Sequence, residues 1–509
     1  MRGIFAFAVI CCGCDVVWPN VTEDCEFLMT CEHYRGLWND VETPAACVPS
    51  ESAVEDGCGV FVSSSGDDGN AATKEAPVKT LAAALSLAEA NGTRRVYACA
   101  EAFEEAVEVT GTVTIYGGLD CANGWGWVGG ERKTTLTAGA GQIPLLMRGG
   151  GAEATVRVED VHVQARGIEP EDASLAGASS IAAVADEVGV ELVRCVLEAG
   201  DAAAGAEGAA YEESAMGGAM GNSGSEACSA QIVVPGASPK NDCGTPEDAS
   251  DDSSGGAGGI GQEDPGGAGS KGSPGATPNG GAGEEGTMLC TEGTAGAEGA
   301  AGTPGEGATG LGEISAAGYT GATGSDGTQG GTAQGGGGGG GAKGGVGEGK
   351  CMSAESAGGA SGGSGGAGGC GGAGGRGGGA GGASIALLSL NAKLGFEDVT
   401  LKTGRGGAGG KGGAGQEGGD GGEGGPGGRK PEGATALNDA CAGGRGGKGG
   451  AGGQGGGGRG GHAIGIAYQG TAPSMEGAMV EVGEAGPGGP GATAEGEGQA
   501  GVRAEVQAF

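Results

Sequence analysis

Asp160, Arg194 and Asp398 come nearest to a catalytic set in this chain. They hold matching places in segments that share one template, Val158-Glu159-Asp160-Val161-His162-Val163, Leu192-Val193-Arg194-Cys195-Val196 and Phe396-Glu397-Asp398-Val399. If these segments pair as neighbouring strands, roughly 4.8 Å apart, the carboxylates come within the separation of about 5–10 Å that glycosidic bond cleavage uses. The same spacing also makes an acid–base–acid ladder of purely structural kind, worth about 0.2–1 kcal/mol per pair. The flanking sequence supplies neither a cleft nor sugar-stacking aromatics, so the ladder is the preferred reading. His162 reads as a solvated strand residue rather than a base.

Other chemistry is thinly represented. Asp67 and Asp68 offer hard oxygen ligands in a turn, which makes calcium the one cofactor the residues admit. Their commoner role is to shape the turn. Trp125 and Trp127 could stack on a sugar, but covering nearby apolar structure is the plainer reading. The three histidines, His33, His162 and His462, stand in unrelated settings, so no nucleophile triad is visible. HExxH, paired Cys-x-x-Cys motifs and a GxxxxGK[ST] loop are all absent. The net charge of −37 opposes nucleic-acid binding, which needs clustered Lys and Arg.

The N-terminus reads as an export signal. Met1-Arg2-Gly3 is a minimal basic start, Ile4 to Ile10 is apolar, and Cys11-Cys12-Gly13-Cys14 follows like a lipobox. Cys14 is the expected lipidated residue, with Cys11 and Cys12 as rivals, and the anchor makes a membrane leaflet a partner. A secreted protein without an anchor is the alternative. The apolar run is too short to span a bilayer, which needs about 20 residues. Sixteen cysteines in an exported chain predict disulfides. Cys25, Cys31, Cys47 and Cys58 sit together and admit three pairings, while Cys99 and Cys121 are expected to bridge. Cys228, Cys243, Cys290, Cys351, Cys370 and Cys441 lie in glycine-rich sequence, where a disulfide can close a loop that has little core.

The elements that must position these residues begin at Gly59. Val60-Phe61-Val62 reads as a strand and 63–70 as a turn. Thr80 is placed as the N-cap of a helix carrying Leu81, Ala84, Leu85 and Ala88 at helical spacing. Short apolar runs then recur at Val96–Cys99, Ala106–Val109 and Val113–Tyr116. The runs SSSGDDGNAATKEAPVKTLAAAL and EEAVEVTGTVTIYGGLD resemble the opening of the pectin-lyase-like β-helix family, and of glycine-rich bacterial surface lipoproteins that share this start. That resemblance covers about 58–130 well and 463–509 less well. It implies an all-β fold, a right-handed parallel β-helix with an N-terminal capping helix. It does not by itself imply an activity.

Segments that open with Ser180-Ile181, Ser384-Ile385 and Ala463-Ile464, with a looser one from Ile143, look like single coils of such a solenoid. Each carries two short apolar strands. The predicted organisation is a signal at 1–14, a cysteine-containing segment at 15–58, β-helix at 59–200, 383–404 and 462–509, and glycine-rich insertions at 201–382 and 405–461. Gly numbers 131, so much of the chain cannot form an ordinary core. In 405–428 and its like every third residue varies and nearly all others are Gly. That period matches an extended left-handed helix of three residues per turn, polyglycine-II-like. A flexible insertion is the other reading. Residues 223–290 read as irregular loop. The expected function is a structural or adhesive lipoprotein of the cell surface, or a secreted one, without catalytic activity. It would meet polysaccharide or other surface proteins. An extracellular polysaccharide lyase or hydrolase is the alternative.

Overall fold

A computed structural model describes residues 45–149, 154–169, 172–244 and 251–509. The expected signal, Cys11, Cys12, Cys14, Cys25, Cys31 and His33 lie outside the described residues.

The helix α1, Leu81–Ala90, starts where Thr80 accepts the Ala83 N–H. Glu105 adds a second cap, accepting the N–H groups of Leu81 and Ala82 at 2.7 and 3.2 Å. Its buried Leu81, Ala84 and Ala88 face the main core.

Three sheets surround that core. The first runs Val60–Val62, Arg95–Cys99, Val113–Asp120, Thr155–Glu159, Gly189–Val193, Lys393–Glu397, all parallel, with Gly126–Trp127 pairing antiparallel to one side. The second runs Ala102–Glu104, Thr134–Thr137, Val161–Ala165, Val196–Ala199, Val399–Thr403, Ala478–Glu481. The third runs Val107–Thr110, Leu145–Arg148, Ser180–Asp186, Ser384–Leu390, Ala463–Gln469, Arg503–Ala508. From Arg95 to Thr403 the chain visits first, second and third sheet in turn. Alternate side chains point inward, as in Val156, Val158, Val190 and Leu192, all nearly inaccessible to solvent. Each such Val or Leu contributes about 1.5–3 kcal/mol of burial.

The expected fold class, an all-β right-handed parallel β-helix with glycine-rich insertions, is corrected here. Three parallel sheets of six or seven strands with an α-helix packed on their core make an architecture nearer the α/β type. Short apolar runs report that strands form. They carry no information on which sheet receives each strand, because parallel partners are joined only through crossovers. The repeats also hold three strands rather than two, as Ser180–Asp186, Gly189–Val193 and Val196–Ala199 show. Ile181, Ile385 and Ile464 are register partners on the third sheet. Their outward side chains pack with Ile314 and Tyr319 of a hairpin, Glu313–Ser315 and Gly318–Thr320.

The long glycine-rich excursions leave at one corner, between the second and third sheets, at 200–383, 404–462 and 482–502. They form a second packed body. In the thread 361–382, successive N–H groups donate to three different neighbours: Gly362 to Gly259, Gly363 to Cys441, Ser364 to Asn222. Gly365, Gly366 and Ala367 repeat the cycle with Gly256, Gly444 and Ala219. Residues 405–428 pair likewise with 202–226 and 361–382, and 441–459 with 325–340. Each turn of three thus distributes its bonds around the thread, which satisfies buried backbone groups without any sheet. Stretches of 223–290 that read as irregular loop belong to this array, since Gly256 and Gly259 donate to Gly336 and Gly339.

A slip of three residues would leave such bonding unchanged, so the side chains set the register. Arg445 meets Glu423 at 3.3 Å and Lys448 meets Glu417 at 3.6 Å across antiparallel threads. Exposed pairs of this kind are worth about 0–1 kcal/mol each. Three disulfides, Cys228–Cys351, Cys243–Cys370 and Cys290–Cys441, tie the threads further.

Candidate functional site

The charged cluster around Arg194 lies at the corner between the first and second sheets. The chain turns there through one residue in the left-handed region at each level: Asp160 at φ 54°, Arg194 at 50° and Asp398 at 53°. Asp tolerates that conformation better than most side chains, and Arg pays about 1 kcal/mol or more. Backbone bonds lock the stack: the Asp160 N–H donates to the Val193 carbonyl and the Arg194 N–H to that of Glu397.

Arg194 Nε donates to Asp160 Oδ1 at 3.0 Å, and its terminal nitrogen reaches Asp160 Oδ2 and Glu159 Oε2, both at 2.8 Å. Trp127 Nε1 donates to Asp160 Oδ2 at 2.8 Å, and the guanidinium lies 5.7 Å from that indole's centroid. Arg157 Nε donates to Glu159 Oε1 at 2.6 Å and also pairs with Glu191. Lys133 stands 3.8 Å from Asp160. The bonds that Arg194 donates to Asp160 raise the Arg194 pKa above its ordinary value; burial opposes this and Glu159 assists. For Arg157 burial works downward and is outweighed by Glu159 and Glu191, so its pKa is also raised.

Asp160 and Glu159 are 2% and 4% exposed, and all four of their carboxylate oxygens already accept from a cation or an N–H. A glycosidase acid must keep one oxygen free to protonate the leaving group. Asp398 shares the corner but is exposed and makes no ion pair with Arg194. The structure therefore brings Asp160 and Arg194 together and leaves Asp398 apart. Glu159, Trp127 and Arg157 complete the cluster and were not legible from the sequence. Trp127 reaches it through an antiparallel strand that the repeat pattern does not announce.

Asp67 and Asp68 serve the turn. Asp67 accepts the Gly69 N–H at 2.8 Å, and Asp68 accepts the N–H groups of Lys79 and Thr80 and the Thr80 hydroxyl. Desolvation is the largest single influence on Asp68 and acts upward, yet those bonds together bring its pKa below the ordinary value. Trp125 is buried against Phe61, while Trp127 is 37% exposed. His162 pairs with Glu198 at 2.9 Å across the second sheet, away from Asp160. His462 is fully buried.

The sequence reading also missed a trio, Asp242, Asp251 and Asp252. Its carboxylate oxygens lie within 4.8 Å of one another beside the Cys243–Cys370 disulfide. In the sheet core an apolar void of about 10 Å³ is lined by Leu81, Val107, Ile115, Leu136, Leu145 and Val158. It is suited to packing slack, not to a ligand.

Cys47–Cys58 and Cys99–Cys121 join the three thread disulfides, and Cys195 is a free, buried thiol. The five disulfides among the described residues fit an exported protein. Among the described residues no helix is long and apolar enough to cross a membrane. No protein-family model, no curated protein and no solved structure matches the chain.

Proposed function

We propose that the chain is a structural or adhesive element of the cell exterior, held to a membrane leaflet through lipid on Cys14. One observation carries this reading: the glycine-rich half is an ordered array, cross-bonded in three directions and closed by three disulfides. Such a body resists reduction of its backbone to coil and presents variable side chains at every third residue. An acidic, disulfide-rich surface suits exposure to the medium. The engagement of every oxygen of Asp160 and Glu159 supports a holding role for that cluster.

The test is a screen of the purified chain against acidic and neutral polysaccharides, read for both retention and product release. Retention without product is expected. Reproducible product release that is lost in Asp160→Asn would replace this reading with a polysaccharide lyase or hydrolase. Palmitate labelling that disappears in Cys14→Ala checks the anchor; labelling that persists moves it to Cys11 or Cys12.

A further inference from the structure

Glu284, Lys343 and Asn438 meet in the glycine-rich body, each from a different thread. The Glu284 side chain is only 3% exposed. Its Oε1 accepts from Asn438 Nδ2 at 2.8 Å and lies 4.0 Å from Lys343 Nζ. Its Oε2 accepts the Lys343 backbone N–H at 3.2 Å, and the Glu284 N–H donates to the Gly341 carbonyl, so the carboxylate is held from both ends. Lys343 Nζ is steered by a bond to the Gly286 carbonyl. The residues directly before the other two, Ala342 and Leu437, are buried in one apolar cluster with Ala227, Cys351 and Ala360. A primary amine, a primary amide and a shielded carboxylate thus share one small site, in which Lys343 and Asn438 are themselves half-buried.

We propose that Lys343 and Asn438 become joined by an isopeptide bond, with Glu284 as the acid–base residue that forms it. In the proposed step a proton of Lys343 Nζ passes to Glu284 Oε1, 4.0 Å away, and frees the amine. Nζ attacks Cγ of Asn438 and the Nζ–Cγ bond forms. The Cγ–Nδ2 bond then breaks. Nδ2 leaves as ammonium, carrying one proton from Glu284 Oε1, its existing partner, and one from Nζ. The carboxylate ends ionised, as it began, and nothing is oxidised or reduced. Proximity replaces an external catalyst: a geometry held by three threads turns an otherwise very slow aminolysis into a unimolecular step. The contrast with Asp160 is instructive. There Lys133 also approaches a buried carboxylate, but no side-chain amide stands beside it and both oxygens are filled by Arg194 and Trp127. The cross-link would add a further covalent closure to threads already tied by disulfides and charge pairs. It is independent of what the surface binds.

The test is mass spectrometry of the full chain, reduced, alkylated and digested. Wild type is expected to yield a branched peptide joining the Lys343 and Asn438 segments, lighter than their sum by one ammonia. Glu284→Gln and Lys343→Arg should yield the two linear peptides instead. Linear, unmodified peptides from wild type would overturn the proposal, as would hydrolysis of Asn438 to Asp without a branch. A branch that persists in Glu284→Gln would overturn the role given to Glu284. Should Glu284→Gln not accumulate, wild type and Lys343→Arg decide the matter between them.

Discussion

Gly366 donates its N–H to the carbonyl of Gly444 at 3.0 Å, and on another side a methyl group at Gly366 would lie 2.0 Å from the carbonyl oxygen of Gly422. Neither neighbour can yield, because both are backbone and both are bonded onward. Gly366→Ala is expected to destabilise the glycine-rich body by about 1–3 kcal/mol or more, the range for overpacking. Gly310→Ala is the control, since its nearest neighbour would be the Ala322 Cβ at 4.0 Å. Thermal unfolding should separate the two variants; equal midpoints would contradict the close packing.

Arg194 neutralises two shielded carboxylates at once. Arg194→Met leaves Asp160 with Trp127 and the distant Lys133, and a broken buried pair costs about 3–5 kcal/mol. Denaturant unfolding should show a loss of that order. Asp398→Asn, exposed and unpaired with Arg194, is expected to stay close to wild type.

His462 is expected to make stability depend on pH. Its Nδ1 accepts the Val502 N–H at 2.8 Å and its Nε2 donates to the Leu311 carbonyl, so the folded state holds the neutral ring. Burial is the main cause of a pKa lowered from 6.5; the Leu311 bond opposes it and Arg459 assists. The unfolded ring takes a proton that the folded one refuses. This contribution is therefore fully present above about 6.5 and declines as pH falls from there through the lowered folded value. His462→Gln should flatten the slope between about pH 7 and pH 5. An unchanged slope would show that the ring titrates freely.

Cysteine chemistry distinguishes the two bodies. The three thread disulfides close loops of 123, 127 and 151 residues, each worth roughly 5 kcal/mol in the loop-entropy account. Reduction should expose the glycine-rich threads to proteolysis while the sheet core persists. Cys195 is buried between Val158 and Val193, and burial pushes its thiol up to about 12. It should resist alkylation until denaturant is added. Rapid labelling in the native state would mean the core opens readily.

Much of the local structure was legible. Thr80 announced the start of α1 because a hydroxyl before an apolar stripe satisfies an orphan N–H, and it does so here. The Ile181, Ile385 and Ile464 segments shared a template, and they are register partners. Of the candidate site, Asp160 and Arg194 were placed together by that template, because residues at equivalent corners stack one strand apart. Asp398 occupies the same corner and still makes no pair, since its side chain faces solvent while Arg194 is taken up by the level before it. Glu159, Arg157 and Trp127 were not found, since nothing in a linear repeat marks which charges are shielded.

Composition and period alone determined that strands would be short, that glycine would dominate half the chain and that every third residue there would differ. These are properties of single segments, set by side-chain volume and backbone freedom. Tertiary structure decided which sheet each strand joined, which threads became neighbours and where Glu284, Lys343 and Asn438 would meet. Glycine carries no side chain to choose a partner, so thread pairing was decided by the disulfides, a few charge pairs and the corner from which each excursion departs.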